Sequence, residues 1–229
     1  MMYKSCIFDL DGTLTDTLDS LTFSVNLTMK EMGLQEITRE QCRRFVGNGS
    51  RVLLEKSLAA VSDEASDRLE EAMEIYGRVF DDNCMYHVIP YEGIVQLLEA
   101  LKSRGIKCAV LSNKPDRQAV HVVKTVFGEE TFFKVQGQKE GVPRKPDPTA
   151  VFQIAEEMGA APEETIYIGD SEVDIRTGHA SGARTIGVSW GFRSREVLKE
   201  AGAEYIVDTA QELLELISAW EEKKGGNGA

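Results

Sequence analysis

Ser5-Cys6-Ile7-Phe8-Asp9-Leu10-Asp11-Gly12-Thr13 is a short apolar, β-prone run that breaks off in a polar turn carrying two acids and a glycine. It reads as a buried strand with Asp9 and Asp11 at its carboxyl end. In an extended backbone, residues two apart share a side, so these carboxylates crowd one point and repel each other unless a cation lies between them. A hard, oxygen-seeking ion such as Mg2+ suits that pair. The same residues also suit an ordinary polar β-turn, whereas a calcium loop is disfavoured because Gly12 stands fourth in the run rather than sixth.

Outward from this strand the texture changes twice. From about Asp16 to Asn83 no strand is evident, and apolar residues recur at helical spacing: Leu18, Leu21, Val25, Met29 and Met32; Val52, Leu53, Leu58 and Val61; Leu69, Met73, Tyr76 and Phe80. Thr38 with Gln41 three residues on has the form of a capping box. After Pro90 helix and apolar strand alternate. Helices are expected over 93–104, 117–126, 148–158 (capped by Asp147) and 211–220, and strands over 107–111, 133–135, 165–168, 184–188 and 205–207, with further helices between the last three of these strands. Such alternation implies a parallel sheet covered on both faces, an α/β class. The first strand belongs with that sheet, so residues 1–15 and 88–229 are expected to form the core. Residues 16–87 then form an inserted helical domain standing over the carboxyl ends of the strands, where open α/β sheets bind ligands. The tail, 224–229, has no core-forming residue and is expected to be disordered.

The other strand ends repeat the polar theme. Ala109-Val110-Leu111 runs into Ser112-Asn113-Lys114, a hydroxyl and turn amides fit to cradle a phosphate. Arg144-Lys145-Pro146-Asp147-Pro148 places a cation in a proline-stiffened segment. Ile166-Tyr167-Ile168-Gly169 runs into Asp170-Ser171-Glu172-Val173-Asp174. Singly these are a helix cap, a surface charge and a first-turn acid; together they put acid, hydroxyl, cation and acid on one edge of one sheet.

At this point the chain resembles the haloacid dehalogenase superfamily. The four motifs stand in order as Asp9-Leu10-Asp11-Gly12-Thr13, Ser112-Asn113, Lys145 in Lys-Pro-Asp-Pro, and Gly169-Asp170-Ser171 with Asp174. The resemblance implies a Rossmann-like parallel core and a small α-helical cap at residues 16–87. It implies that Asp9 is the nucleophile forming an aspartyl-phosphate, and that Asp11 is the general acid and then the base for water. Mg2+ would be held by Asp9, the Asp11 carbonyl and Asp170, with Asp174 as a direct or neighbouring ligand. Ser112 and Asn113, with Gly12 and Thr13, would bind the phosphoryl group, and Lys145 would neutralise it. A second aspartate in the first motif points to phosphate rather than halide chemistry.

Within the superfamily, Phe45-Val46-Gly47-Asn48-Gly49-Ser50-Arg51, Pro90-Tyr91-Glu92-Gly93 and Gly187-Val188-Ser189-Trp190-Gly191-Phe192 resemble the phosphoglycolate phosphatase branch. The first stretch is either a turn between helices or a substrate loop in which Gly49 and Arg51 bind a small carboxylate. Pyrophosphatase, sugar phosphatase, nucleotidase and β-phosphoglucomutase-like activities stay open. So does, from another class, a phospho-receiver module, which the helical insertion disfavours. A mutase needs acid-base groups in the cap, and His87, His121 and His179 are not placed for that.

The bulk properties agree. A formal net charge of -12 disfavours nucleic acid, whose binding rests on basic patches. No apolar run approaches the roughly 18 residues of a membrane span. With no leader at the start and no paired spacing among Cys6, Cys42, Cys84 and Cys108, a cytoplasmic protein with reduced thiols is expected. The expected partner is a small phosphorylated metabolite, and the expected assembly a monomer or homodimer.

Overall fold

The computed structural model describes residues 3–225, and side chains up to Trp220. In chain order it begins with β1 (Ser5–Phe8) and β2 (Thr15–Asp16), followed by helices α1 (Leu18–Glu31), α2 (Arg39–Phe45), α3 (Gly49–Val61), α4 (Asp63–Ser66) and α5 (Leu69–Asn83). After β3 (Ile89–Pro90) come α6 (Ile94–Ser103), β4 (Lys107–Pro115), α7 (Asp116–Phe127), β5 (Lys134–Gln138) and α8 (Thr149–Met158). The chain then continues through β6 (Thr165–Gly169), α9 (Glu172–Ser181), β7 (Arg184–Val188), α10 (Arg195–Glu200), β8 (Tyr205–Val207) and α11 (Ala210–Gly225).

Six strands form one parallel sheet in the order β5-β4-β1-β6-β7-β8. β1 lies inside it because all four of its residues can be buried, Ser5 included, whose hydroxyl meets that of Thr165 at 2.9 Å. Alternation along the strands sends Cys6, Phe8, Val110, Ile166 and Ile168 into one buried cluster with Leu97 and Leu101 of α6 and Leu213 and Ile217 of α11. Ile7, Ala109, Leu111 and Tyr167 go to the opposite face, against Val151, Ile154 and Met158 of α8. Each Val, Leu, Ile, Phe or Met among them contributes roughly 1.5–3 kcal/mol by leaving water. Register aligns Phe8 with Val110 and with Ile168, so β1, β4 and β6 present their polar ends on one edge.

Helices α1 to α5 pack around a separate cluster of Leu21, Val25, Met29, Leu53, Leu54, Leu58, Tyr76 and Phe80, which Phe192 joins from the loop after β7. The Thr38–Gln41 capping box is formed at the start of α2; Asp147, expected to cap α8, accepts from the Thr149 amide at 2.9 Å from one residue further out, and the N-cap position itself falls to Pro148.

Several features depart from expectation. The crossings into and out of the helical stretch pair as the antiparallel strands β2 and β3, Thr15 with Pro90 and Asp16 with Ile89; two residues per strand are too few for a periodic signal. β4 continues through Ser112-Asn113-Lys114-Pro115, which the sequence reading treats as a turn, and its register with β5 shifts between Leu111 and Pro115. Finally α11 extends to Gly225, so residues 224 and 225 of the expected disordered tail are helical, while 226–229 lie outside the described residues.

Candidate active site at the strand edge

Asp9 follows β1 directly, its amide held by the Ile168 carbonyl at 2.9 Å, so its backbone is fixed by the neighbouring strand. Its Oδ1 accepts from the Leu10 amide at 2.7 Å and from Lys145 Nζ at 2.8 Å. Lys145 Nζ also donates to Asp174 Oδ1 at 2.8 Å, and only 3% of the Lys145 side chain is exposed. Burial pulls this ammonium down, but Asp174 and Asp9 outweigh it and leave the group well above the usual lysine range.

Asp174 has two jobs. As the N3 residue of a capping box it receives the Ser171 amide and hydroxyl on Oδ2, at 3.1 and 2.6 Å; on Oδ1 it receives Lys145 and the Tyr167 hydroxyl, the latter at 3.3 Å. Asp170 accepts from the Thr13 hydroxyl at 3.2 Å and from the Phe192 amide at 2.7 Å. One oxygen each from Asp9, Asp170 and Asp174 lie within 4.8 Å of one another, all three residues buried. Three carboxylates against one ammonium leave a buried surplus of negative charge. Its cost shows in Asp9, whose carboxyl burial and Asp174 push up to about 7 while Lys145 opposes, and in Asp170, which burial, Asp174 and Asp9 drive well above the carboxylate range. An all-oxygen donor set with excess negative charge fits a hard divalent cation.

Asn113 fixes the lysine. Its Oδ1 accepts from the Lys145 amide at 3.0 Å, and its Nδ2 donates to the Lys145 carbonyl at 3.2 Å and to the Gly47 carbonyl, between α2 and α3, at 3.1 Å. Ser112 Oγ accepts from the Lys114 amide at 3.2 Å. Gly12 has φ +87°, and a Cβ there would collide with the Asp170 carboxylate, so the turn after Asp11 admits no side chain.

These groups flank a cleft of about 530 Å³, counting the space open to solvent. Asp9, Asp11, Ser112, Asn113, Asp170 and Gly49 all line it. Gly12 and Thr13, expected at the substrate, do not line it; they shape the turn beside Asp170. Arg51 is not brought to the cleft either: its guanidinium reaches outward to Glu70 at 2.8 Å, both side chains largely exposed. Asp11 is outside the carboxylate cluster, because its Oδ1 is paired with Lys114 Nζ at 3.0 Å.

Sequence reading missed three contributors. Lys114 was legible only as part of a turn, although its place two residues after Ser112 on one strand was a usable signal. The Trp190-Gly191-Phe192-Arg193 loop supplies the amide on Asp170 and an indole bond to the Thr13 carbonyl at 3.0 Å. Reciprocal arginines join this loop to the helical stretch: Arg43 donates to the Phe192 and Gly191 carbonyls at 3.0 and 3.1 Å, and Arg193 to the Arg43 and Val46 carbonyls, both at 2.7 Å. Nothing local in the sequence announces such pairs.

Residues 6–188 match the model of a family of haloacid dehalogenase-like hydrolases. A phosphoglycolate phosphatase of Aquifex aeolicus is 34% identical over 187 residues, covering 81% of this chain and 84% of that protein. One from Haemophilus influenzae is 29% identical over 94% of this chain and 98% of its own length. Among solved structures, a candidate phosphoglycolate phosphatase from Lactobacillus delbrueckii subsp. bulgaricus superposes with a TM-score of 0.89 at 33% identity, covering 95% and 99% of the two chains.

Proposed function

Because the chain belongs to the haloacid dehalogenase-like hydrolases, we propose that this phosphatase hydrolyses a small phosphate monoester, 2-phosphoglycolate foremost, through an aspartyl-phosphate on Asp9. The observation that carries the reading is the buried set of Asp9, Asp170 and Asp174 tied together by Lys145 beside a cleft that Ser112 and Asp11 also line. The relatives at 29–34% identity are phosphoglycolate phosphatases, which favours that ester over the other phosphatase substrates.

In this reading Asp9 attacks phosphorus in line with the leaving alkoxide, as its fixed backbone and the Lys145 contact direct. Asp11 gives the alkoxide its proton and later takes one from the water that cleaves the acyl phosphate. Ser112 and the backbone of Asn113 hold phosphoryl oxygens, while the Asn113 side chain holds Lys145 in place. Mg2+ is the expected ion; Asp9, Asp170 and the Asp11 carbonyl would hold it, and when bound it supplies the charge that lets Asp9 ionise and the phosphoryl oxygens approach. Asp174, already accepting four hydrogen bonds, orients Lys145. Helices α1 to α5 act as a cap domain, approximately residues 16–87, over a core of 1–15 and 88–229. The four cysteines are buried and none forms a disulfide among the described residues, which suits a reducing cytoplasm.

The test is phosphate release from a panel of monoesters and pyrophosphate, with Mg2+ or with chelator. Metal-dependent release, greatest with 2-phosphoglycolate, is expected. A different preferred ester moves the substrate and keeps the mechanism; no release from any ester overturns the reading.

A further inference from the structure

Lys114 is a buried cation that the chemistry above does not use. Only 1% of its side chain is exposed, its Nζ stands 3.0 Å from Asp11 Oδ1, and the ammonium lies 4.6 Å from the centroid of the Phe80 ring of α5. It lines the cleft together with Ser112, Gly47, Gly49 and Ser50. An ammonium has three donors, and one neighbour on the aromatic face and one carboxylate leave donor capacity for the cleft. The other cation lining the cleft, Arg193, has each nitrogen engaged, by Glu172 at 3.0 Å and by the Arg43 and Val46 carbonyls. Arg51 is turned away on Glu70.

We propose that Lys114 is the specificity-determining residue of this site, reading a second anion carried on the alcohol part of the phosphate ester. The inference rests on the phosphatase reading and narrows its substrate class. Ser112 and Lys114 are two residues apart on β4, roughly 7 Å along an extended chain, so a phosphoryl group at Ser112 and an anion at Lys114 must be separated by only a few bonds. A carboxylate on the carbon next to the ester oxygen meets that spacing, and so does a second phosphate joined directly. Phe80 gives the helical stretch a share in the selection, because its ring holds the ammonium in place from the far side of the cleft.

The test compares kcat/KM for 2-phosphoglycolate with that for ethyl phosphate, an ester of similar size without the second anion, and includes pyrophosphate as the other anion source. In Lys114→Met the preference for 2-phosphoglycolate over ethyl phosphate is expected to fall on the order of 10²-fold, the scale of removing one partner from a buried charge pair. In Phe80→Leu it should fall less and chiefly through KM, and in Arg51→Ala the ratio should stand. A native chain that hydrolyses neither ester defeats the phosphatase reading itself. Equal losses on both esters in Lys114→Met, or a collapsed ratio in Arg51→Ala with an intact one in Phe80→Leu, would overturn the role of Lys114. Should Lys114→Met fail to fold, as a lost melting transition would show, Phe80→Leu still decides the question. If pyrophosphate alone loses preference, the anion read is a phosphate rather than a carboxylate.

Discussion

The strand edge and the helical stretch meet at one cleft, yet they are built by different means. At the strand edge, side chains bond side chains: Lys145 to Asp9 and Asp174, Ser171 to Asp174, Thr13 to Asp170. Across the cleft, the helical stretch is joined mainly through carbonyls, those of Arg43, Val46 and Gly47 receiving Arg193 and Asn113, and those of Gly191 and Phe192 receiving Arg43. The first arrangement is a fixed electrostatic device whose members are costly to remove. The second rests on backbone position at the accepting residues, so it tolerates side-chain change there but not at the donating arginines and Asn113.

The largest effect should therefore follow from Asp9→Asn, which keeps shape and hydrogen bonding but removes the attacking carboxylate. Turnover of the preferred ester is expected to fall on the order of 10⁴-fold or more, with KM little changed. Lys145→Met comes next and is read as stability. It leaves Asp9 and Asp174 buried without their cation, a loss of about 3–5 kcal/mol, which for a chain of this size lowers Tm by roughly 10 °C in the presence of chelator. If instead the melting point barely moved, the strand edge would be less tightly coupled than its distances imply.

How far each side could be read from the sequence follows from the same difference. The parallel sheet, and the placing of Asp9, Ser112, Lys145, Asp170 and Asp174 near one edge, came from local patterns: an apolar run ending in an acid is visible within ten residues. Asp174 was ambiguous between cap and site because it is both. Arg51 was legible as a cation near two glycines, but its direction depends on where Glu70 of α5 comes to lie, 19 residues away. The Arg43 and Arg193 pairs span 147 to 150 residues, and β2 with β3 spans two residues on each side, so neither leaves a periodic or spacing signal.

A third prediction separates the edge from the rest of the molecule by pH. With its carboxyl raised from 3.8 to about 7, Asp9 binds more protons folded than unfolded between those values. Stability from this group is fully present below about pH 4 and is lost as pH rises through 7, and Asp170 acts in the same direction. Lys145, raised further above an already high value, changes nothing across that window. Because a divalent ion needs the ionised carboxylates, the rise in Tm on adding Mg2+ should be larger at pH 8 than at pH 5.5, as differential scanning fluorimetry with Mg2+ or chelator would report. An equal rise at both values would place the ion elsewhere.

The smallest effect tests the other side of the comparison. Arg43→Ala removes two donors from the Gly191 and Phe192 carbonyls, both on the loop whose Phe192 amide holds Asp170. Gly191 and Phe192 are both buried, so their carbonyls lose a partner, and the expected loss of stability is about 1–3 kcal/mol. The consequence reaches the strand edge through a single bond: with the loop less restrained, the Phe192 amide spends less time on Asp170. Half-maximal activity should then need more Mg2+, with kcat at saturating metal close to native. Lost kcat at saturating metal would mean that the arginine pairs set the geometry of the reacting groups themselves, and the division between a rigid edge and a forgiving opposite wall would not hold.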